Sequence, residues 1–187
     1  MYIHKSLHEK KDECVELLLS TQRPNIEALI NHIERMGYFV APGSLHHHRF
    51  EGGLVSHSLE TYHKAMELRG EKIAQGVDPN AMPEESLIIA ALLHDLCKAD
   101  ALRYSKETRK SFVVKKTHGH SMRSVRQIGY SGFVLTNAEK DAILWHMGGK
   151  RLSGDKNEHF RTHPLADIIH RADGKSINEA SRRHHKE

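Results

Sequence analysis

A chain of 187 residues is long enough to bury one sizeable hydrophobic core, and its length is typical of a single domain. With 38% hydrophobic and 28% charged residues, and no apolar run near the roughly 20 residues of a membrane span, the sequence excludes a membrane protein. The charged N-terminus lacks the apolar centre of a signal peptide, and the chain has only two cysteines, so we expect a cytoplasmic protein with reduced thiols.

Histidine is unusually abundant, with 17 residues in the chain. Imidazole is the commonest metal ligand in proteins and the side chain that titrates nearest to neutral pH. The excess is not a terminal tag, because the triplet at 46–48 is internal. The net charge of +4 is compatible with an anionic partner.

The hydrophobic periodicity predicts helices along most of the chain. Residues 5–20 and 25–36 form the first two, and Gly37 ends the second. The stretch APGSLHHHRFEGG, residues 41–53, is a loop by its proline and glycine content. A third helix is predicted over about 54–69.

The second half of the chain is predicted to hold a central helix, one β element and three further helices. The run SLIIAALL is apolar on all sides, so we expect helix 84–98 to be buried. Aromatic and β-branched residues flank a polar turn, which predicts a short β-hairpin around 103–116. The remaining helices are 120–130, 137–147 with Asn137 as N-cap and Gly148–Gly149 as stop, and 164–180. The fold class is therefore an all-α bundle with one possible hairpin insertion.

Four of these helices place a histidine or an aspartate on an apolar face. These residues are His57, His94 with Asp95, His146, and Asp173. One buried polar side chain is commonly satisfied by a neighbour, but four independent burials are costly. A shared cation removes that cost, because imidazole lone pairs and carboxylates both ligate it. The residues alone therefore predict a metal site.

The sequence resembles the HD-domain metal-dependent phosphohydrolases. FEGGLVSHSLETYHKA resembles the family's Gly-Gly-Leu-x-x-His helix, and IIAALLHDLCKAD resembles its apolar-His-Asp-x-x-Lys helix. AILWHMGG resembles the Trp-His-x-Gly-Gly helix end, and HPLADIIHRADGKS the closing apolar-Ala-Asp helix. HGHSMRSV resembles a Gly-His-x-x-x-Ser segment of one bacterial branch. The resemblance covers about 45–180 as the HD core of a single domain and leaves 1–44 as accessory N-terminal helices.

Within that family, the sequence is most similar to free-standing bacterial HD hydrolases and to the HD domain of YhaM-type 3′–5′ exoribonucleases. The OB-fold that accompanies the HD domain in those nucleases is not found here, so a nucleic acid is a possible but not the favoured substrate. The Gly-Tyr-Pro signature of cyclic-di-GMP phosphodiesterases is missing as well, which argues against that substrate.

The resemblance implies a role for each matching residue. The first of two divalent metals would be held by His57, His94, Asp95 and Asp173, and the second by His120 and His146, with Asp95 bridging. Such a ligand set suits Mn, Fe, Co, Ni or Zn better than Mg. Two such ions lower the pKa of a shared water and clamp a phosphoryl oxygen. Lys98 would offset charge on the phosphate, so the catalytic residues are expected to be Asp95 and Lys98.

The basic segment 103–126 joins two of the ligand-bearing helices, so we expect it to border the pocket. Arg103, Lys116, Arg123 and His48 are the candidates for contact with substrate, and an ordinary solvated hairpin is the alternative. The remaining histidines, among them His159 and His163, are assigned to the surface or to the fold.

The function implied is hydrolysis of a phosphate ester of a nucleotide or a small phosphorylated metabolite, with no membrane partner. Two alternatives stay open. One is a non-catalytic sensor that binds metal and a nucleotide, and the other is a di-iron oxygenase.

Overall fold

The computed structural model describes residues 5–115, 119–148 and 156–184. Its helices are α1 (Leu7–Ser20), α2 (Ile26–Arg35), α3 (Gly53–Ala74), α4 (Glu84–Leu93), α5 (His120–Gly129), α6 (Asn137–Trp145), α7 (Lys156–Thr162) and α8 (Pro164–His184). Two 3₁₀ turns, Pro79–Ala81 and Leu96–Lys98, flank α4. Strands β1 (Leu102–Ser105) and β2 (Lys110–Val113) pair antiparallel, with Leu102 opposite Val113. The predicted all-α class with one short hairpin is confirmed.

Helices α3, α4, α6 and α8 form the centre of the fold. Helix α3 packs against α4 and α8, and α6 packs against the same two helices from another side. The N-terminal α1 contacts α2, α3 and α4. Every residue of α4 from Ser86 to Leu93 is buried, as its continuous apolar run predicts. The four central helices therefore converge around the C-terminal end of α4.

The predicted helix 84–98 is wrong beyond Leu93. The His94 ring explains the break, because its Nδ1–H donates to the carbonyl oxygen of Ala91 over 2.8 Å. A continuing helix would use that carbonyl for the N–H of Asp95. Asp95 instead leaves the helix with φ −107° and ψ 18°, and the 3₁₀ turn that ends at Lys98 follows.

The predicted N-cap of α6 is also wrong by one residue. Thr136, rather than Asn137, caps the helix, and its hydroxyl accepts from the N–H of Glu139. The Glu139 carboxylate accepts in return from the N–H of Thr136 over 2.8 Å. This reciprocal pair satisfies two helix-end donors, which a single Asn side chain cannot do. Gly148, the first residue of the predicted helix stop, has a φ of 73°. Gly149, the second, lies outside the described residues.

Helices α3 and α8 both run past their predicted ends at 69 and 180, and α7 has no predicted counterpart. Across the described ranges, no helix combines the length and the apolar character that a bilayer span requires.

Candidate metal centre

The central cluster consists of His57 on α3, His94 and Asp95 at the end of α4, His146 at the end of α6, and Asp173 on α8. All five side chains are buried, none of the residues more than 6% exposed. They come from four helices, as the sequence predicts, and their ligand atoms fall into two groups that share His94. The structure therefore brings together five of the six predicted metal ligands.

The first group joins His57, His94 and Asp173. The Nε2 atoms of His57 and His94 lie 3.2 Å apart. The Oδ1 atom of Asp173 lies 3.1 Å from Nε2 of His57 and 3.8 Å from Nε2 of His94. Two imidazole nitrogens and one carboxylate oxygen thus face a common point.

The second group joins His94, Asp95 and His146. The Asp95 carboxylate points its two oxygens in different directions, with Oδ2 3.4 Å from Nε2 of His94 and Oδ1 3.7 Å from Nε2 of His146. The same Oδ2 lies 3.7 Å from Nε2 of His57. Asp95 therefore sits between the two groups, which is the disposition of a bridging carboxylate.

Two helix ends present their histidines in the same way. The Nδ1–H of His94 donates to the Ala91 carbonyl, and the Nδ1–H of His146 donates to the Ile143 carbonyl over 2.7 Å. A carbonyl oxygen can only accept, so each Nδ1 must carry the proton. The lone pair of each neutral ring is therefore on Nε2, the atom that faces the cluster.

The third histidine is oriented by a side-chain relay that the sequence analysis missed. Nδ1 of His57 lies 3.1 Å from the hydroxyl oxygen of Ser176, and that hydroxyl donates to Oε2 of Glu60 over 3.4 Å. Because a carboxylate only accepts, the hydroxyl must accept from His57, which again leaves the lone pair on Nε2. Glu60 follows His57 by three positions and Ser176 follows Asp173 by three. This helical spacing is the signal that could have found both residues.

Burial and neighbouring charge set the protonation of the cluster. Burial lowers the pKa of His57 to about 4, although Asp173 acts in the opposite direction. Burial disfavours charge on His94, but the Asp95 and Asp173 carboxylates together with the Ala91 carbonyl outweigh it and raise the pKa of His94. Burial, together with the charge of His94, lowers the pKa of His146. The cluster thus keeps at least two of its rings neutral and ready to ligate.

The two carboxylates stay ionised although they are buried. Burial alone would raise the pKa of Asp95, but Lys98 and His94 hold it well below its usual range. Burial likewise works to raise the pKa of Asp173, yet the adjacent His57 and His94 rings lower it to about 2. The donor set therefore carries two negative charges at neutral pH.

Two buried atoms of the central cluster make no hydrogen bond to any described residue: Nε2 of His146 and Oδ1 of Asp173. An unsatisfied buried nitrogen or oxygen costs about 1–3 kcal/mol. Both atoms face the centre of the cluster. A divalent cation there would accept their lone pairs and also the lone pairs of His57 and His94, which face each other. The residues present therefore fit a metal of the kind that imidazole and carboxylate ligands prefer.

Lys98 lies at the edge of the cluster. Its Nζ is 2.5 Å from Oδ2 of Asp95, and its side chain is 17% exposed. Burial opposes the charge on this ammonium, but nearby groups, Asp95 first and then Asp173, together outweigh burial and raise the pKa of Lys98. The 3₁₀ turn therefore carries a fixed positive charge directly beside a ligand carboxylate.

His120 is not brought into the two groups of ligand atoms. It is exposed as the first residue of α5, and its Nδ1 lies 3.6 Å from Sγ of Cys97. Both cysteines are free and buried. The role of His120 as a second-metal ligand remains a prediction.

The predicted substrate-binding residues lie in different environments. Arg103 donates to the carbonyl oxygens of Ala99 and Leu102, and Arg123 pairs with the Asp100 carboxylate. Lys116 lies outside the described residues. Nothing in the described structure joins Arg103 and Arg123 to the central cluster directly, and their contact with substrate remains a prediction.

The loop before α3 folds back onto the start of that helix. His48 is buried with Nε2 3.3 Å from Oε2 of Glu60, and the His47 ring centroid lies 5.6 Å from that of His57. This return needs glycine at position 53, where an added Cβ would lie 1.9 Å from the His48 carbonyl oxygen. The predicted His48 thus contacts Glu60 and is also the nearer of the two rings to His57, with centroids 5.2 Å apart.

The chain belongs to the HD domain family. The family model matches residues 54–179, which span every member of the central cluster. HD domains fall in the superfamily of metal-dependent phosphohydrolases and bind divalent metals. No curated protein and no solved structure matches the chain.

Proposed function

We propose that this protein is a metal-dependent phosphohydrolase that cleaves the phosphate ester of a nucleotide or a small phosphorylated metabolite. The observation that carries the proposal is the central cluster itself. Three imidazole Nε2 atoms and two ionised carboxylates face one another in a buried site, and two of their atoms have no hydrogen-bond partner among the described residues.

In this proposal His57, His94, Asp95 and Asp173 would hold the first metal. A second metal would be held by His146 and Asp95, with His120 as a further ligand from the start of α5. A divalent metal there supplies Lewis-acid polarisation of a phosphoryl oxygen and acidification of a bound water. Mn, Fe, Co, Ni and Zn all suit the donor set.

The protein's own residues have four tasks. Asp95 and Asp173 balance the positive charge of the metal site, and Ala91, Ile143 and Ser176 hold the three rings in the ligating tautomer. The Lys98 ammonium offsets the charge that develops on the phosphate. Arg103, Lys116 and Arg123, in the basic segment 103–126, attract the anionic substrate.

The direct test is turnover of a panel of nucleotides and sugar or alcohol phosphates with added Mn, Co, Ni or Zn, combined with metal analysis of the purified protein. We expect metal-dependent release of phosphate or nucleotide from at least one substrate. Tight nucleotide binding without turnover would replace the proposal with the sensor function. Bound iron that cycles in redox state and consumes oxygen would replace it with an oxygenase.

A further inference from the structure

We propose a second, peripheral metal site on the outer side of α6, formed by Asp141, His159 and His163. These three residues, called the peripheral trio below, share no member with the central cluster. One ligand atom from each lies within 4.8 Å of the other two. The site would take a divalent transition metal such as Zn, Ni or Co, and it is independent of the phosphohydrolase proposal.

The trio is already arranged by contacts between α6 and α7. Nε2 of His159 lies 2.8 Å from Oδ2 of Asp141. The rings of His159 and His163 stack with centroids 4.1 Å apart and planes inclined by only 6°. Residues four positions apart lie on the same side of a helical turn, so both rings come near Asp141. Imidazole lone pairs lie in the ring plane, so the exposed His163 ring must turn out of the stack before both rings can ligate one ion.

A backbone contact fixes the state of His163. Its Nδ1–H donates to the carbonyl oxygen of His159 over 3.0 Å. The carbonyl can only accept, so the lone pair of the neutral ring is on Nε2. This is the same device that orients His94 and His146 in the central cluster, and it is the usual outer support of a metal-ligating histidine.

Chemistry and access both favour a cation. Two neutral imidazoles and one carboxylate form a donor set of net negative charge that suits transition dications. In a tetrahedral site the ligand atoms lie roughly 3.3–3.6 Å apart, so an ion would draw the three ligand atoms closer together and rotate the His163 ring. A bound ion takes the place of the proton between His159 and Asp141. The side chains of Asp141 and His159 are 25% and 16% exposed and His163 is exposed, which leaves room for a water as fourth ligand.

The position of the trio gives the site a structural consequence. The ring of Trp145 stacks on His159 with centroids 3.8 Å apart, and Trp145 directly precedes His146 of the central cluster. A metal on the trio would fix α7 against α6 at the turn that carries His146. We therefore expect the peripheral metal to stabilise the helix end from which the central cluster takes one ligand.

Trp145 also provides the measurement, because it is the only tryptophan of the chain. The metal-free full-length protein is titrated with Ni²⁺, a paramagnetic quencher, while Trp145 fluorescence and bound nickel are recorded. We expect His163→Ala and Asp141→Asn to weaken one quenching phase at least about tenfold, since loss of a ligand costs no less than loss of its support. Nickel bound at the central cluster quenches Trp145 in all of these proteins. Only the difference in quenching between wild type and the trio variants therefore reports on the peripheral site.

The matched control is His8→Ala. His8 lies on α1 and faces Asp12 at 3.4 Å, an exposed histidine–carboxylate pair that no group of three ligands includes. This variant must keep the phase that His163→Ala loses. Equal quenching and equal bound nickel in wild type and both trio variants, with helical content unchanged by circular dichroism, would overturn the proposal. The trio would then be a hydrogen-bonded stack only.

Discussion

His57 and His94 face each other with their Nε2 atoms 3.2 Å apart, although one lies in α3 and the other ends α4. Ser176 and Ala91 hold the opposite nitrogens of the two rings, so both lone pairs point at the same buried space. At most one proton can lie between them, and Asp173 adds a carboxylate oxygen 3.1 Å from His57. The helices thus converge on a position that a cation fills better than a proton.

Metal removal should destabilise the protein. At a free metal concentration of 100 times Kd, binding to the folded state adds about 2.7 kcal/mol. For a chain of this size that corresponds to a rise in Tm of roughly 5–10 °C. Thermal unfolding with excess chelator and with added Mn or Co measures the shift. The control His8→Ala, at an exposed residue outside both metal sites, should show the same shift within error. An unchanged Tm in wild type would contradict the prediction.

Ser176→Ala should weaken metal binding without unfolding the protein. The variant removes the acceptor of His57 Nδ1–H, so the ring loses its fixed tautomer and orientation. Loss of such a support typically lowers metal affinity by about 10–100-fold. Competition with a chromophoric chelator measures the affinity. The matched control is Ser181→Ala, because Ser181 is exposed on the same helix and bonds only to the Ile177 carbonyl in the described contacts. Equal affinities in the two variants would show that the relay has no role.

Two glycines of α3 should respond to alanine in opposite directions. At position 53 the new Cβ meets the His48 carbonyl oxygen at 1.9 Å, so the loop must move, at a cost of about 1–3 kcal/mol. At position 70 nothing lies within 4 Å, and alanine should stabilise the helix by about 0.5–1 kcal/mol. Urea unfolding of Gly53→Ala and Gly70→Ala compares them. A Gly53→Ala protein as stable as wild type would mean that the loop does not need its close return.

The Lys98→Ala variant should retain its metal but turn over substrate more slowly. The ammonium neutralises Asp95 and faces the side on which we place the phosphate, so its removal should slow turnover by roughly 10²–10³. Steady-state kinetics and metal content are measured on the same preparation. The exposed Lys106, which pairs with Glu51 at 2.8 Å, provides the control in Lys106→Ala. If Lys98→Ala turned over substrate as fast as Lys106→Ala does, Lys98 would have only a structural role.

The helical faces that carry the central cluster were readable from the sequence. His57, His94, His146 and Asp173 stand at three- and four-residue steps from apolar neighbours, and burial follows from that spacing alone. The hairpin was also predictable, because polar turn residues separate two short β-prone stretches.

The features that the sequence did not predict depend on contacts between side chain and backbone. The end of α4 at Leu93 follows from the bond between His94 Nδ1 and the Ala91 carbonyl, which competes with the helical ladder. The hydrophobic periodicity of a sequence carries no information about such a side-chain-to-backbone hydrogen bond. The same limit applies to His120, whose exposure depends on how α5 packs and not on its own hydrophobic pattern.

The relay through Ser176 and Glu60 was missed for a different reason. Each lies three positions from a ligand, but that spacing alone does not show that their side chains meet each other and His57. Their closeness to His57 depends on α3 packing against α8, which is a tertiary contact.

The most direct test of the account is metal content and phosphoester hydrolysis of Asp95→Asn beside wild type. The substitution keeps the size of the side chain but removes the charge that faces His57, His94 and His146. We predict that the variant keeps its helical content, loses most of its central metal and shows no hydrolysis of a substrate that wild type cleaves with added Mn, Co or Ni. An Asp95→Asn protein that binds metal and cleaves that substrate like wild type would contradict the account.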